Sequence, residues 1–121
     1  MILVDTSVWI DHLHTSDQIL IELLLSDSVV THPLVIEELA LGSLARRDEL
    51  LQMMAGLSTV GVLEHGELLA LVAERRLWGK GLSPTDAHLL GSALSSEATR
   101  IWTRDKRLRS AADDLALSYA P

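Results

Sequence analysis

The sequence predicts an α/β fold, an α/β/α sandwich whose helices flank a central parallel sheet of four or five strands. Three observations predict it. Short apolar, β-branched runs alternate along the chain with longer stretches of helical periodicity. The first run, Met1-Ile2-Leu3-Val4, stops at Asp5, and a late run, Ile101-Trp102-Thr103, stops just before Asp105. Two acids therefore stand at the carboxyl ends of strands, the edge at which open α/β sheets bind ligands. Finally, 121 residues of which 48% are apolar suffice for one core, burying about two-thirds of the unfolded surface at this size. With no linker, repeat or low-complexity stretch, residues 1–121 are expected to form a single domain.

Each element has its own signal. After Asp5, the segment TSVWIDHL spaces Trp9, Ile10 and Leu13 as a helix does. Asp17 to Leu25 repeats apolar residues at helical spacing, and Val29-Val30-Thr31 is a short strand. Pro33 opens a helix that runs to Leu41 and ends at Gly42; another runs from Arg47 to Ala55 and ends at Gly56. Val60-Gly61-Val62 reads as a central strand, followed by a long helix from Glu64 to about Trp78 that Gly79 and Gly81 close. Ser83 to Ala98 is helical. The Ile101 strand, a helix from Arg104 to Asp113 and an edge strand around Leu117-Ser118-Tyr119 complete the chain.

Composition narrows the setting. The chain has no cysteine, which removes disulfide frameworks and thiolate metal sites and suits a reducing cytoplasm. The apolar run before Asp5 is too short for a signal peptide and lacks a basic start. A cytoplasmic protein with no membrane association is expected.

A formal charge of −7 argues against a generic nucleic-acid binder, but the average conceals a division. No Lys or Arg precedes Arg46, whereas Arg100, Arg104, Lys106, Arg107 and Arg109 make up half of the 10 basic residues. An acidic half beside a basic helix is compatible with gripping RNA, because bound cations would cancel the acidic charge where phosphate arrives. The same basic residues also suit a plain solvated helix face.

Asp5, Glu38, Asp86 and Asp105 stand at strand ends and in or before helices, where carboxylates have little structural use as a group but together can hold hard divalent cations. Each also has a local alternative. Asp5 suits the cap of the helix at Thr6. Ser83-Pro84-Thr85-Asp86 has the form of a capping box with Pro84 at the first helical position, and Asp105 suits a first helical turn, where the dipole favours an acid. Periodicity does not separate Glu38 from Glu37.

Four segments, MILVDTSVWIDHL, IEELALG, LSPTDAHLLGSAL and IWTRDKRL, occur in that order across nearly the whole chain. Together they resemble the PIN-domain ribonucleases, in particular the VapC-type toxins of bacterial toxin–antitoxin pairs. The resemblance implies a compact PIN-like fold and a magnesium-dependent endoribonuclease site in which manganese substitutes. It also implies a transfer or ribosomal RNA target, products with a 5′-phosphate and a 3′-hydroxyl, a VapB-type antitoxin partner and a homodimer. By motif position it carries the acidic roles to Asp5, Glu38, Asp86 and Asp105, with Glu38 selected over Glu37 because Glu38-Leu39-Ala40-Leu41-Gly42 matches the family's E-L-x-x-G pattern.

On that reading Asp5 and Asp86 are the principal magnesium ligands, and Glu38 and Asp105 complete the pocket directly or through water. The chemistry needs such a set because a phosphodiester repels nucleophiles, and divalent cations both polarise it and supply hydroxide at neutral pH. Thr6, Ser7 and Thr103 are candidate hydroxyls that orient the carboxylates or a metal-bound water. Arg104, Lys106 and Arg107 are candidate RNA contacts.

Other chemistries are poorly supported. His12, His14, His32, His65 and His88 show no zinc-ligand spacing, and Ser7, Ser83 and Ser110 lack a nucleophile-elbow context. Phe is absent and Tyr occurs once, so Trp9, Trp78 and Trp102 read as core or interface residues and RNA recognition as resting on shape and phosphates. A phosphoacceptor receiver domain would need an aspartate at the end of its central strand, yet none lies between Asp48 and Asp86. An aspartyl phosphatase would want an acid where Ser7 stands. A catalytically silent PIN fold used only for binding is disfavoured by the presence of all the motif acids.

Overall fold

A computed structural model describes residues 1–121. Its strands are β1 (Ile2–Val4), β2 (Val29–Thr31), β3 (Ser58–Thr59) and β4 (Arg100–Trp102), and its helices are α1 (Thr6–His14), α2 (Gln18–Leu25), α3 (Pro33–Leu41), α4 (Arg47–Ala55), α5 (His65–Glu74), α6 (Pro84–Ser95) and α7 (Lys106–Asp114). The strands form one parallel sheet in the order β3-β2-β1-β4. β1 lies inside the sheet and all its residues are buried, which is why it is a continuous apolar run rather than an alternating one. The chain after α7 adds a rung beside β4: the Ile101 N–H donates to the Leu117 carbonyl at 2.7 Å and the Tyr119 N–H to the Ile101 carbonyl at 2.8 Å. That rung matches the edge strand expected around Leu117-Ser118-Tyr119.

The core is apolar and centred on the sheet, with Leu3, Val8, Trp9, Leu20, Leu39, Met54, Leu89, Leu90, Ile101 and Leu108 all sealed from solvent. α3 packs on α4 and α5 on α6. Gly91 in the middle of α6 allows the second contact, since a Cβ there would lie 3.0 Å from Leu71 Cδ2 on α5 and 2.2 Å from Leu63 Cδ1 just before it.

Two expected elements differ. Val60-Gly61-Val62 is not the central strand; the paired residues are Ser58 and Thr59, on the sheet's edge. The Val60 N–H still bonds the Thr31 carbonyl at 3.0 Å, but the chain then leaves the sheet and Val62 is exposed. The long helix also stops at Glu74, well short of Trp78. Its end is a Schellman turn in which Arg76 takes a left-handed φ of 54° and the Leu77 N–H reaches back to the Val72 carbonyl at 3.0 Å. Leu77 is thereby buried.

Candidate active site

The parallel register sets the site. Leu3 pairs with Ile101 and Val4 with Trp102, so Asp5 and Thr103 leave adjacent strands side by side. The Asp5 N–H extends the ladder by donating to the Trp102 carbonyl at 2.9 Å. Asp5 is buried, and its Oδ2 accepts hydrogen bonds from Thr103 Oγ1 at 2.7 Å and Ser7 Oγ at 2.9 Å. It occupies the N-cap position of α1, but its side chain makes no cap bond. The capping alternative for Asp5 therefore does not describe its side chain.

The other acids arrive from three helices. Glu38, on α3, accepts from Thr6 Oγ1 at 3.0 Å through Oε1, which ties it to the start of α1. Asp86, in the first turn of α6, forms the expected capping box: its Oδ2 accepts from the Ser83 N–H at 3.0 Å and its N–H donates to Ser83 Oγ at 3.1 Å. Asp105 caps α7 rather than sitting in its first turn, because the helix begins at Lys106; its Oδ1 accepts from the Arg107 and Leu108 N–H groups at 2.9 and 3.0 Å. The Asp105 N–H in turn donates to Thr103 Oγ1 at 3.0 Å.

In each acid one carboxylate oxygen is occupied by protein donors and the other is free of them. The protein bonds fall on Oδ2 of Asp5, Oε1 of Glu38, Oδ2 of Asp86 and Oδ1 of Asp105. The second oxygens are not sealed without a partner. Capping and ligation therefore do not compete for the same atoms.

The carboxylates also sense one another. The Glu38 pKa is raised, chiefly by desolvation and further by the charges of Asp5 and Asp86, against the lowering bond from Thr6. That of Asp86 is raised chiefly by desolvation and further by Asp5 and Asp105, against the lowering bonds from Ser83. Of the two adjacent acids on α3, Glu38 is the one hydrogen-bonded to Thr6.

Of the basic residues, Arg104 is already engaged. Its guanidinium donates to Asp11 Oδ2 at 2.8 Å and to Asp17 Oδ2 at 2.6 Å, pinning the loop before α7 to α1 and to the cap of α2. Lys106 and Arg107 are exposed and in no ion pair with Asp or Glu. Sequence reasoning passed over His32, which is fully buried. Its Nδ1 accepts from the Leu34 N–H at 3.0 Å and its Nε2 lies 3.1 Å from Ser92 Oγ. The one available signal was its place directly before the helix-opening Pro33, which is an N-cap position.

Residues 2–114 match the PIN domain family. The chain belongs to this family. Among curated PIN relatives, Ribonuclease VapC32 of Mycobacterium tuberculosis, in strains CDC 1551 / Oshkosh and ATCC 25618 / H37Rv, is 53% identical over 120 residues, spanning 99% of this chain and 97% of the relative. Two solved structures share the fold. PAE2754 from Pyrobaculum aerophilum is 20% identical with a TM-score of 0.60, over 91% of this chain and 83% of its own. FitAcB from Neisseria gonorrhoeae is 22% identical with a TM-score of 0.59, over 93% and 94%.

PIN nucleases generally depend on a divalent metal, and the donor set here fits a hard one. All the candidate ligands are carboxylate oxygens, supplemented by hydroxyls and free of thiol or imidazole. No three of them converge closely enough to clasp an ion unaided. Such an open arrangement suits a hard divalent cation that keeps several waters and takes one or two carboxylates directly.

Proposed function

We infer that this chain is a metal-dependent endoribonuclease and the toxin of a toxin–antitoxin pair, with residues 1–121 acting as one PIN domain. The observation that carries the reading is the set of four carboxylates, each held through one oxygen and open at the other. Asp5 and Asp86 would bind magnesium or manganese, with Glu38 and Asp105 completing the pocket directly or through water. The ion supplies Lewis-acid polarisation of the phosphodiester and activation of water.

The chain's own residues prepare for that charge. Ser7 and Thr103 donate to Asp5 and Thr6 to Glu38, which fixes the direction of the free oxygens. The pKa values of Glu38 and Asp86 are raised first by burial and then by the neighbouring carboxylates, and a bound cation would offset both by favouring the charged forms. Lys106 and Arg107, at the start of α7 beside Asp105, would hold the RNA phosphates. The 53% identity to Ribonuclease VapC32 supports the RNA substrate, taken as transfer or ribosomal RNA, and a VapB-type antitoxin partner.

The antitoxin is expected to lie over the acidic first half and present a basic side chain to the carboxylates. Exposed Ile10, Ile19, Leu25 and Leu41 offer it apolar contact there. A homodimer is proposed as the toxin's own state. No helix is long and apolar enough to cross a membrane, and the lack of cysteine supports a cytoplasmic setting.

Incubation with total RNA decides the activity. Cleavage in magnesium or manganese and none in EDTA is expected, with the products carrying 5′-phosphates. A protein that binds RNA and cuts none with either ion would be a silent PIN fold.

A further inference from the structure

A groove of about 430 Å³ lies between α5, the start of α6 and the loop 77–82 that precedes it. Leu68, Leu69 and Val72 of α5 form one wall, Pro84 and His88 of α6 another, and Trp78 stands at the loop. Two facts mark it as more than slack packing. Trp78 is 62% exposed and Leu69 55%, whereas Trp9 and Trp102 are at 0% and 3%. His88, which lines the groove, has a buried Nδ1 with no hydrogen-bond partner.

The groove adjoins the acidic centre. Ser83 lines it and is the residue bonded both ways to Asp86. The other side of the same loop is net cationic, with Lys80, Lys106 and Arg107 against the single acid Asp114 around a neighbouring hollow. Gly81, at a left-handed φ of +75°, lets the two sides approach, because a Cβ there would lie 2.7 Å from a guanidinium nitrogen of Arg107. One loop thus presents an aromatic face and a basic face next to the carboxylates.

The ligand with that combination is a nucleotide of single-stranded RNA. Every base has a π-face that stacks on an exposed aromatic side chain, and its phosphates seek Lys and Arg. We propose that the groove takes one unstacked base of the RNA substrate against Trp78, while the adjacent phosphate lies along Lys80, Lys106 and Arg107. The proposal rests on the ribonuclease reading and deepens it: this pocket stacks one base at a fixed distance from the cut and favours the purines, which stack most strongly. The link through Ser83 to Asp86 favours substrate over a protein partner, because a base and the phosphate being cleaved belong to neighbouring parts of one strand.

The test compares wild type, Trp78→Ala and Trp78→Phe on a random-sequence single-stranded RNA pool with magnesium, reading both KM and the bases flanking each cut. Wild type should prefer certain bases at one fixed position. Trp78→Ala should lose that preference and raise KM roughly tenfold, the size of one base stack, and Trp78→Phe should restore most of both. In EDTA, RNA should quench wild-type tryptophan emission and leave Trp78→Phe unchanged, since the other two indoles are buried.

The proposal fails if Trp78→Ala cuts with wild-type KM and base preference. It also fails if that change instead splits a dimer in sedimentation with cleavage unaltered, which would give the groove to a second copy of the chain. A wild type that cuts no RNA overturns the ribonuclease reading, and the quenching titration then still decides whether RNA occupies the groove.

Discussion

Thr103 Oγ1 donates a 2.7 Å hydrogen bond to Asp5 Oδ2 across 98 positions of sequence. The bond follows from register, since each residue is the first beyond a paired strand, after Trp102 and Val4. Thr103 therefore positions Asp5, and through its own Oγ1 it also receives the Asp105 N–H. Thr103→Val keeps the shape and removes the hydroxyl. RNA cleavage should fall about 10–100-fold, the usual effect of losing a group that orients a metal ligand. Stability should drop by about 1–3 kcal/mol for the buried acceptor left short of a donor. Urea unfolding and a cleavage assay check both, and Thr103→Ser should recover most of each. A fully active Thr103→Val would show that Ser7 alone orients Asp5.

Asp5→Asn separates a cation site from a structural carboxylate. Asp5 makes no cap bond, and its charge is among the causes that raise Glu38 and Asp86. A carboxyl with a raised folded pKa lowers stability once pH exceeds the unfolded value, and fully so above the folded pKa. Removing the Asp5 charge should therefore leave the metal-free protein at neutral pH as stable as wild type or more so. The magnesium increment, about 2.7 kcal/mol at a hundredfold excess over Kd, should shrink sharply, and cleavage should drop by orders of magnitude. Thermal melts in EDTA and in magnesium measure this. Equal destabilisation in both buffers would move the ion away from Asp5.

Asp86 carries two duties on two oxygens. Asp86→Asn keeps an oxygen for the Ser83 N–H and removes the charge, whereas Asp86→Ala removes both. Both variants should be inactive, but only the alanine should lose the cap contribution, typically about 1 kcal/mol. Chemical denaturation of the pair tests it. Equal stabilities would mean that the Ser83 N–H bond contributes nothing.

The strand-end acids were legible because parallel strands are buried runs that stop abruptly, as at Val4 and Trp102. The cap of α6 was legible as well, since Ser83-Pro84-Thr85-Asp86 carries its own local chemistry. Helix ends were less so. α2, α5 and α7 close on Asp27, Arg76 and Ala116 at φ of 58°, 54° and 57°, positions where glycine is the usual guide; α5 thus ends before Gly79 and Gly81. The β3 strand hid because edge pairing left Ser58 and Thr59 exposed and put the apolar Val60 just past it. The engagement of Arg104 by Asp11 and Asp17, 93 and 87 positions away, depends on tertiary proximity that no local pattern encodes.

His32 gives the fold an acid-sensitive joint. Its Nδ1 accepts the Leu34 N–H, so the ring proton sits on Nε2 and points to Ser92 Oγ, whose own hydroxyl donates to the Gly61 carbonyl at 2.7 Å. The chain links α3, α6 and the segment after β3. Protonating Nδ1 would set a donor against a donor in a buried place. Accordingly the pKa is lowered from 6.5 to about 4, first by burial and then by the neighbouring His88. A histidine with a depressed folded pKa contributes stability that is complete above its unfolded value and is lost as pH falls from 6.5 towards about 4. Glu38 and Asp86 act in the opposite sense, since their raised pKa values favour the folded form on acidification. The two effects separate by substitution: His32→Asn keeps a side-chain cap for α3 and removes the titration. It should be less stable than wild type at pH 7, because Ser92 loses its partner, yet its stability should fall less steeply, or even rise, between pH 6.5 and 4. Urea midpoints across that range supply the comparison, and parallel curves for the two proteins would remove His32 as the origin of acid sensitivity.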